Sequence, residues 1–286
     1  MTEWSAWMIE YARTDDHPAS RSLYGTAYDE RWYLPFCFVL LEGEGHLALV
    51  DTGFDPGSTF IRGFLHESTV STSRSARHVL GKLGVTPEDV DTVLLTHAHF
   101  DHMGNLPVFP NADVWIQRRE VEWAEEAVRL PQRFRTLVEA LDPSDLLYLT
   151  QLEESGRLHL ADGVQKDVLP GVDLVPAFET HTEGSQYVVI RAGGESWVMT
   201  GDNVYSYRNV EDPSGYFGIG YGNGSLARSL YTIDDIMQVA GTSERLLIPH
   251  EGKIFSRFPS VRTEDGLAVA EMRLAPGAAS RLPLTG

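Results

Sequence analysis

The chain has a single cysteine in 286 residues, Cys37, so it cannot form an internal disulfide. That residue sits in the apolar run Phe36-Cys37-Phe38-Val39 and reads as a small buried hydrophobe. Basic residues are scarce: 23 Lys and Arg against 41 Asp and Glu leave a formal charge of −18. A nucleic-acid processor draws its affinity from lysines and arginines that displace counterions along a phosphate track. Here the arginines are scattered among acids, as where Arg118, Arg119, Arg133 and Arg135 share a stretch with Glu120, Glu122, Glu125 and Glu126. The balance argues against nucleic acid as a partner, and against an anionic membrane surface for the same reason. No uninterrupted apolar run approaches membrane-spanning length. Met1-Thr2-Glu3-Trp4 lacks the basic-then-apolar order of a secretion signal. A reducing cytoplasm is the expected location.

What is present points to metal. Hydrophobic residues make up 42% of the chain, enough for a folded core. The length suits one large two-sheet domain, although length alone also allows two. Histidines number only ten, yet three fall within His97-Ala98-His99-Phe100-Asp101-His102. Three imidazoles and a carboxylate in one short turn have few physical uses except to hold a cation. These donors suit Zn²⁺, Mn²⁺, Fe²⁺ or Co²⁺, and no thiolate lies nearby to shift the choice. The preceding run, Val90-Asp91-Thr92-Val93-Leu94-Leu95-Thr96, predicts a buried strand, so the ligands stand where a strand runs out into a loop. In extended backbone, residues two apart point the same way, so His97 and His99 can grip one ion. Asp101 and His102 follow as the chain turns toward a helix. They are better placed for a second ion about 3.5–4 Å from the first.

The segment Thr96-His97-Ala98-His99-Phe100-Asp101-His102-Met103-Gly104 resembles the signature of the metallo-β-lactamase-fold hydrolases. The resemblance runs from about Phe36 to His250. It takes in Val50-Asp51-Thr52-Gly53, Glu179-Thr180-His181-Thr182-Glu183-Gly184, Thr200-Gly201-Asp202-Asn203 and Ile248-Pro249-His250. It implies an α/β fold, a four-layer αββα sandwich with a two-metal site at one edge. Carried over position by position, it puts His97, His99 and His181 on the first divalent ion and Asp101, His102 and His250 on the second. Asp202 would bridge the two, and zinc is the first choice for both. One departure stands out. Many relatives set the third histidine in a Gly-His-X-X-Gly-His pattern, whereas Thr180 replaces the leading Gly here and Ser185 stands at the trailing His. That leaves the outer partner of His181 open. Tyr205, three positions after Asp202, is similar to a tyrosine that the N-acyl homoserine lactonase branch carries near the corresponding place. The implied role is a phenol hydrogen bond to the carbonyl oxygen or leaving alkoxide of a lactone. The alternative is a tyrosine packed under the bridging loop.

The residues also show a matching order without the family. Val172–Phe178 leads to His181. Tyr187–Ile190 and Trp197–Met199 are apolar runs joined through Gly193-Gly194, the second ending just before Asp202, and Leu246-Leu247-Ile248 ends at His250. Each candidate ligand lies just past an apolar run, so one rim of the sheets can collect them all. The other histidines, His17, His46, His66, His78 and His159, read as surface residues.

Residues 1–260 are expected to form the catalytic domain. Residues 261–286, rich in Ala, Gly, Pro and Leu, are expected as a tail that packs on it or serves as the contact of a homo-oligomer. Residues 4–56 read mainly as strands, with Glu42-Gly43-Glu44-Gly45 a turn, and 57–84 as mostly helix. Thr86 would cap a short helix begun by Pro87. Residues 120–141 read as a helix broken near Pro131, with Trp123 and Phe134 as packing residues. Asp212–Ser225, with five glycines and the aromatics Tyr216, Phe217 and Tyr221, reads as a loop beside the site.

The chemistry follows from the ions. A metal-bound water loses a proton at a pKa of about 7, against roughly 15.7 in bulk. The expected activity is a metal-dependent hydrolase acting on a small molecule. It would open a lactone or similar cyclic ester or amide, an N-acyl homoserine lactone best of all, by attack of a metal-bridging hydroxide. Asp101 would pass a proton to the leaving group. Two other activities share the histidine loop. One is a mononuclear iron persulfide dioxygenase, holding its iron with two first-ion histidines and Asp202. The other is a thioester hydrolase of the glyoxalase II type, which needs basic residues for glutathione carboxylates that have no evident counterpart here.

Overall fold

The strand β1 (Trp4–Pro18) shows why the chain folds into layers. Trp4, Ala6 and Met8 enter one buried cluster, and Trp7, Ile9 and Tyr11 enter another. Successive side chains of a strand leave opposite faces, so a strand apolar on both needs cover on both. In the computed structural model, which describes residues 1–67 and 70–283, that cover is a second sheet on one side and helices on the other.

Among the described residues the first sheet has nine strands. With β1 it contains β2 (Arg31–Gly43), β3 (His46–Val50), β4 (Val70–Ser73), β5 (Thr92–Leu94), β6 (Asp113–Gln117) and β7 (Leu158–Ala161). The second sheet is built from β8 (Gln165–Leu169), β9 (Val172–Pro176), β10 (Gln186–Ala192), β11 (Glu195–Met199) and β12 (Leu246–Leu247). The chain then returns to the first sheet as β13 (Ser260–Arg262) and β14 (Ala268–Arg273). The strand orders are β13-β14-β1-β2-β3-β5-β6-β7, with β4 also on β1, and β12-β11-β10-β9-β8.

The helices are α1 (Ala19–Ser22), α2 (Thr59–Glu67), α3 (Ala76–Gly81), α4 (Phe100–Met103), α5 (Arg118–Ala127), α6 (Pro143–Glu154), α7 (Leu226–Ala240) and α8 (Ile254–Arg257). Val79 and Leu80 of α3, Val121 and Ala124 of α5, and Leu146, Leu149 and Leu152 of α6 pack on Leu40, Leu49, Val93 and Val114 of the first sheet. Between the sheets, Val39, Leu41, Val50 and Leu94 meet Leu174, Val188, Ile190 and Val198, and Ile233 and Ile236 of α7 join this cluster. Each such fully buried side chain is worth about 1.5–3 kcal/mol. The layers run helix, sheet, sheet, helix, the expected αββα sandwich.

The topology also decides where the loops collect. β3 and β5 are parallel neighbours, so Asp51 and the His97 loop leave the first sheet at the same edge. β9 and β11 are both antiparallel to β10, and β12 is parallel to β11, so the chain leaves all three in one direction. Gln186 fastens the sheets together there, its backbone N–H donating to the Thr96 carbonyl at 2.9 Å and its Nε2 to the Leu95 carbonyl at 2.6 Å.

Several local expectations need correction. Within 57–84 the chain is not continuous helix, because Val70–Ser73 pairs on β1 as the strand β4. The helix expected over 120–141 starts two residues early, at Arg118, and ends at Ala127. After Pro131 the chain makes only tight turns over Gln132–Leu137. Phe134 is 40% exposed and lies under Arg133, so it is not a packing residue, whereas Trp123 does pack on the core. The Thr86 cap is present, with Asp89 accepting from the Thr86 N–H and hydroxyl at 2.8 Å each. Past residue 260, Ala268, Val269, Ala270 and Met272 are buried in the first sheet, and Arg281 pairs with Glu42 at 2.7 Å. The last three residues of the tail lie outside the described residues. No helix among the described residues is long and apolar enough to cross a membrane.

Candidate metal centre

Asp51 is the first residue past β3, and its backbone lies in the left-handed region at φ 63°, which a short polar side chain tolerates. Its carboxylate accepts three hydrogen bonds: from the Thr96 N–H at 2.8 Å, the Thr96 hydroxyl at 2.9 Å and His102 Nδ1 at 2.7 Å. The Thr96 hydroxyl in turn accepts from His97 Nδ1 at 3.0 Å. One buried carboxylate thereby orients two histidines of the loop. Across the cleft, Gly201 lies at φ 51° with its Cα facing Thr96. A Cβ there would stand 2.9 Å from the Thr96 Cβ, so only glycine lets the Asp202 turn close on the His97 loop.

All seven donors singled out from the sequence come together. Donor atoms of His97, His99 and His181 lie within 4.8 Å of one another, as do those of His97, His102 and Asp202, and those of Asp101, His102 and His250. The Asp202 carboxylate faces both groups. Its Oδ1 is 3.2 Å from His102 Nε2 and 3.2 Å from His250 Nε2, while its Oδ2 is 3.4 Å from His181 Nε2. Asp101 Oδ2 lies 3.6 Å from His102 Nε2 and 3.7 Å from His250 Nε2.

Four of these rings have their outer nitrogen committed. Nδ1 of His97 goes to Thr96, of His102 to Asp51, of His181 to the Tyr221 carbonyl at 2.9 Å, and of His250 to the Pro35 carbonyl at 2.8 Å. Every Nε2 is thereby turned inward, and His99 offers Nδ1, 3.0 Å from His181 Nε2. His97 Nε2, His102 Nε2 and Asp202 Oδ1 are buried with no hydrogen-bond partner. Unpartnered polar atoms at the focus of a histidine cluster are what a cation would satisfy, so the residues fit divalent metal.

The electrostatics agree. Burial, with the charges of neighbouring rings, holds His97 and His99 well below the usual histidine range. Burial also lowers His181, so all three are neutral imidazoles ready to ligate. Burial acts the same way on His102 and His250, but the Asp202 and Asp101 carboxylates outweigh it and hold both above that range. Burial would raise Asp202, yet His250, His102 and His181 together hold it well below the carboxylate range. Tyr205 lies over this group, its ring stacked on His250 at 5.4 Å and edge-on to His181 at 5.8 Å. Burial and the Asp202 charge push its phenol well up, so it stays protonated and able to donate.

Glu120, treated in the sequence as one acid among many, is fully buried here. It accepts from the Ala98 N–H at 2.9 Å, from the Thr182 hydroxyl at 2.7 Å and from the Gly184 N–H at 2.9 Å. It therefore ties the His97–His99 loop to the His181 loop, and burial pushes its carboxyl up to about 7. The available signal was its position: Glu120 falls on the face of α5 that also carries Val121, Ala124 and Ala127. Asp51 was legible only as part of a turn.

Among the remaining histidines, His17 is not a surface residue. It is half-buried, its Nε2 is 2.9 Å from the Ser22 hydroxyl, and burial with the His250 charge pushes it down to about 4. His46, His78 and His159 are partly exposed beside Asp91, Asp265 and Asp113. The side chain of His66 lies outside the described residues. The glycine-rich loop is beside the site, as expected, since its Tyr221 carbonyl receives His181.

Residues 33–239 match the sequence profile of the Metallo-beta-lactamase superfamily. A probable metallo-hydrolase of Mycobacterium tuberculosis is 30% identical over 190 residues, 62% of this chain and 59% of the relative, so the match spans well under two thirds of that protein. An N-acyl homoserine lactonase of Bacillus cereus is 30% identical over 189 residues, covering 63% of this chain and 68% of its own. Among solved structures, a dizinc quorum-quenching lactonase in complex with a product superposes with a TM-score of 0.64 at 18% identity, over 93% of this chain and 90% of that one.

Proposed function

This chain belongs to the metallo-β-lactamase superfamily, and from that premise we propose that it is a metal-dependent hydrolase of lactones, with N-acyl homoserine lactones as its substrate class. The observation that carries this reading is the Asp202 carboxylate, one oxygen toward His181 and the other toward His102 and His250, with the Tyr205 phenol above it. His97, His99 and His181 would hold one divalent ion, Asp101, His102 and His250 a second, and Asp202 would bridge. The all-nitrogen-and-oxygen donor set suits zinc. Bound there, two such ions would supply a water of lowered pKa and positive charge for the carbonyl oxygen.

The chain's own residues do the rest. Tyr205, kept protonated, donates to the lactone carbonyl oxygen or to the departing ring oxygen. Asp101 takes the proton released by the attacking water and returns it to that oxygen as the ring C–O bond breaks. The product is the open hydroxy acid, and no serine or cysteine nucleophile is needed. The Bacillus lactonase and the dizinc lactonase structure support this substrate class. We read the described chain as one catalytic unit, since β13 and β14 complete its first sheet. We place it in a reducing cytoplasm, in keeping with a lone Cys37 whose thiol burial pushes far up.

The test is metal analysis of the purified chain together with hydrolysis of N-hexanoyl homoserine lactone. Two divalent ions per chain and ring opening that disappears in His97→Ala are expected. One iron per chain, with oxygen uptake on glutathione persulfide and no lactone hydrolysis, would replace this reading with a persulfide dioxygenase.

A further inference from the structure

Between Asn209 and α7 the chain reads Gly218-Ile219-Gly220-Tyr221-Gly222-Asn223-Gly224, with glycine at every second position. Each of these glycines is pressed against a wall. A Cβ on Gly218 would enter the Leu23 side chain, and one on Gly220 would stand 2.5 Å from the Tyr205 ring. A Cβ on Gly222 would lie 2.8 Å from the Cα of His181 and from the Thr180 carbonyl, and one on Gly224 would overlap the Glu179 carbonyl. With no side chain at any of these four positions, the backbone can lie directly on what is beneath. Hydrogen bonds hold it there. Tyr24 N–H donates to the Ile219 carbonyl at 2.7 Å, and Tyr221 N–H to the Arg21 carbonyl at 3.0 Å. Asn223 N–H donates to the His181 carbonyl at 2.9 Å, and Gly224 N–H to the Thr180 carbonyl at 2.8 Å.

We propose that residues 218–224 are a strap that positions His181 and Tyr205 together, with Gly220 and Gly222 as its positioning residues. The Tyr221 carbonyl accepts from His181 Nδ1 and so fills the outer place that Ser185 does not, because the Ser185 hydroxyl is engaged with the Ala177 carbonyl and the Thr180 hydroxyl. Metal-bound imidazoles depend on such a partner for their tautomer and orientation. One residue earlier, Gly220 backs the Tyr205 ring, which also stacks on His250 and meets the edge of His181. A push at Gly222 therefore acts first on a histidine of the first group, and a push at Gly220 on the proposed oxyanion donor. The role given to Tyr205 rests on the proposed lactonase activity, whereas the role given to His181 needs only metal.

Three measurements test this. In the ¹H–¹⁵N spectrum of the zinc-loaded wild-type chain, His181 is expected to carry a slowly exchanging Nδ1–H. A proton on Nε2, or exchange as fast as that of an exposed histidine, would overturn the strap even if no variant folds. Gly222→Ala should bind Co²⁺ at least ~10-fold more weakly than wild type, whereas Gly81→Ala, whose Cβ meets nothing within 4 Å, should bind as wild type. Equal Co²⁺ affinity of both variants would overturn it. Gly220→Ala should keep its metal, leave KM for N-hexanoyl homoserine lactone nearly unchanged and lower kcat by roughly 10–100-fold. In the Tyr205→Phe background the same change should cost almost nothing, whereas independent, multiplying effects would count against the strap. A wild-type chain that binds metal but leaves the lactone intact would reject the lactonase reading, and the first two measurements would still decide the strap.

Discussion

Asp51 has its effect by accepting hydrogen bonds from two neighbours of the metal site, Thr96 and His102. Removing its carboxylate leaves the buried Thr96 N–H without an acceptor and His102 Nδ1 with only the Thr96 hydroxyl at 3.5 Å, and the Thr96 hydroxyl that holds His97 loses its own acceptor. Asp51→Ala is therefore expected to weaken zinc binding by roughly 10–100-fold, measured by competition with a chelator of known affinity. Unchanged affinity would mean that the loop orients its histidines without it. Tyr205 gives a complementary case, because its hydroxyl can be deleted while its stacked ring is kept. Tyr205→Phe should lower kcat on N-hexanoyl homoserine lactone by at least ~10-fold with metal content unaltered. Full turnover in that variant would leave Tyr205 as packing under the Asp202 turn.

At the scale of the element, two helices carry acids on their buried faces, with different consequences. Glu120 on α5 is met by three donors and joins two loops. Asp145 on α6 is buried beside Asp142, and its Oδ2 has no partner. Burial and then the Asp142 charge push Asp145 up to about 7. A carboxyl whose folded pKa lies above its unfolded one favours the fold when protonated. Stability is therefore lost as pH rises from about 4 through 7. Replacing it by asparagine removes the ionisation. Urea melts should show Asp145→Asn gaining on wild type between pH 5 and pH 8 by about 2–3 kcal/mol. A constant difference between the two pH values would place Asp145 in a more solvated setting than its burial indicates.

For the whole molecule the decisive fact is that two sheets share one edge, and that seven donors meet there, five of them buried and His99 and Asp101 half-buried. Without a cation, the inward nitrogens of His97 and His102 and one oxygen of Asp202 are buried with no hydrogen-bond partner. A ligand held at about 1,000 times its Kd adds roughly 4 kcal/mol to stability. For a chain of this size that corresponds to about 10 °C in Tm. Thermal melts with zinc and then with a chelator in excess should differ by about that much and return on re-addition of zinc. Melts that coincide would mean that the donors hold no stabilising ion.

The sequence by itself determined the donors and the layering. The His97–His102 cluster, and the placing of His181, Asp202 and His250 just past apolar runs, are local patterns, and local patterns survive in one dimension. The layering was legible through the resemblance that the His97 loop carries, while residues 4–56 by themselves read only as strands. Only the tertiary structure decided which groups stand behind the donors. Asp51 reaches His102 from 51 residues away, Glu120 joins loops 22 and 62 residues off, and the Tyr221 carbonyl meets His181 across 40. An acid, a main-chain carbonyl or a bare glycine looks alike wherever it occurs in a chain. What each one does depends on the strand order that brings distant loops to the same edge.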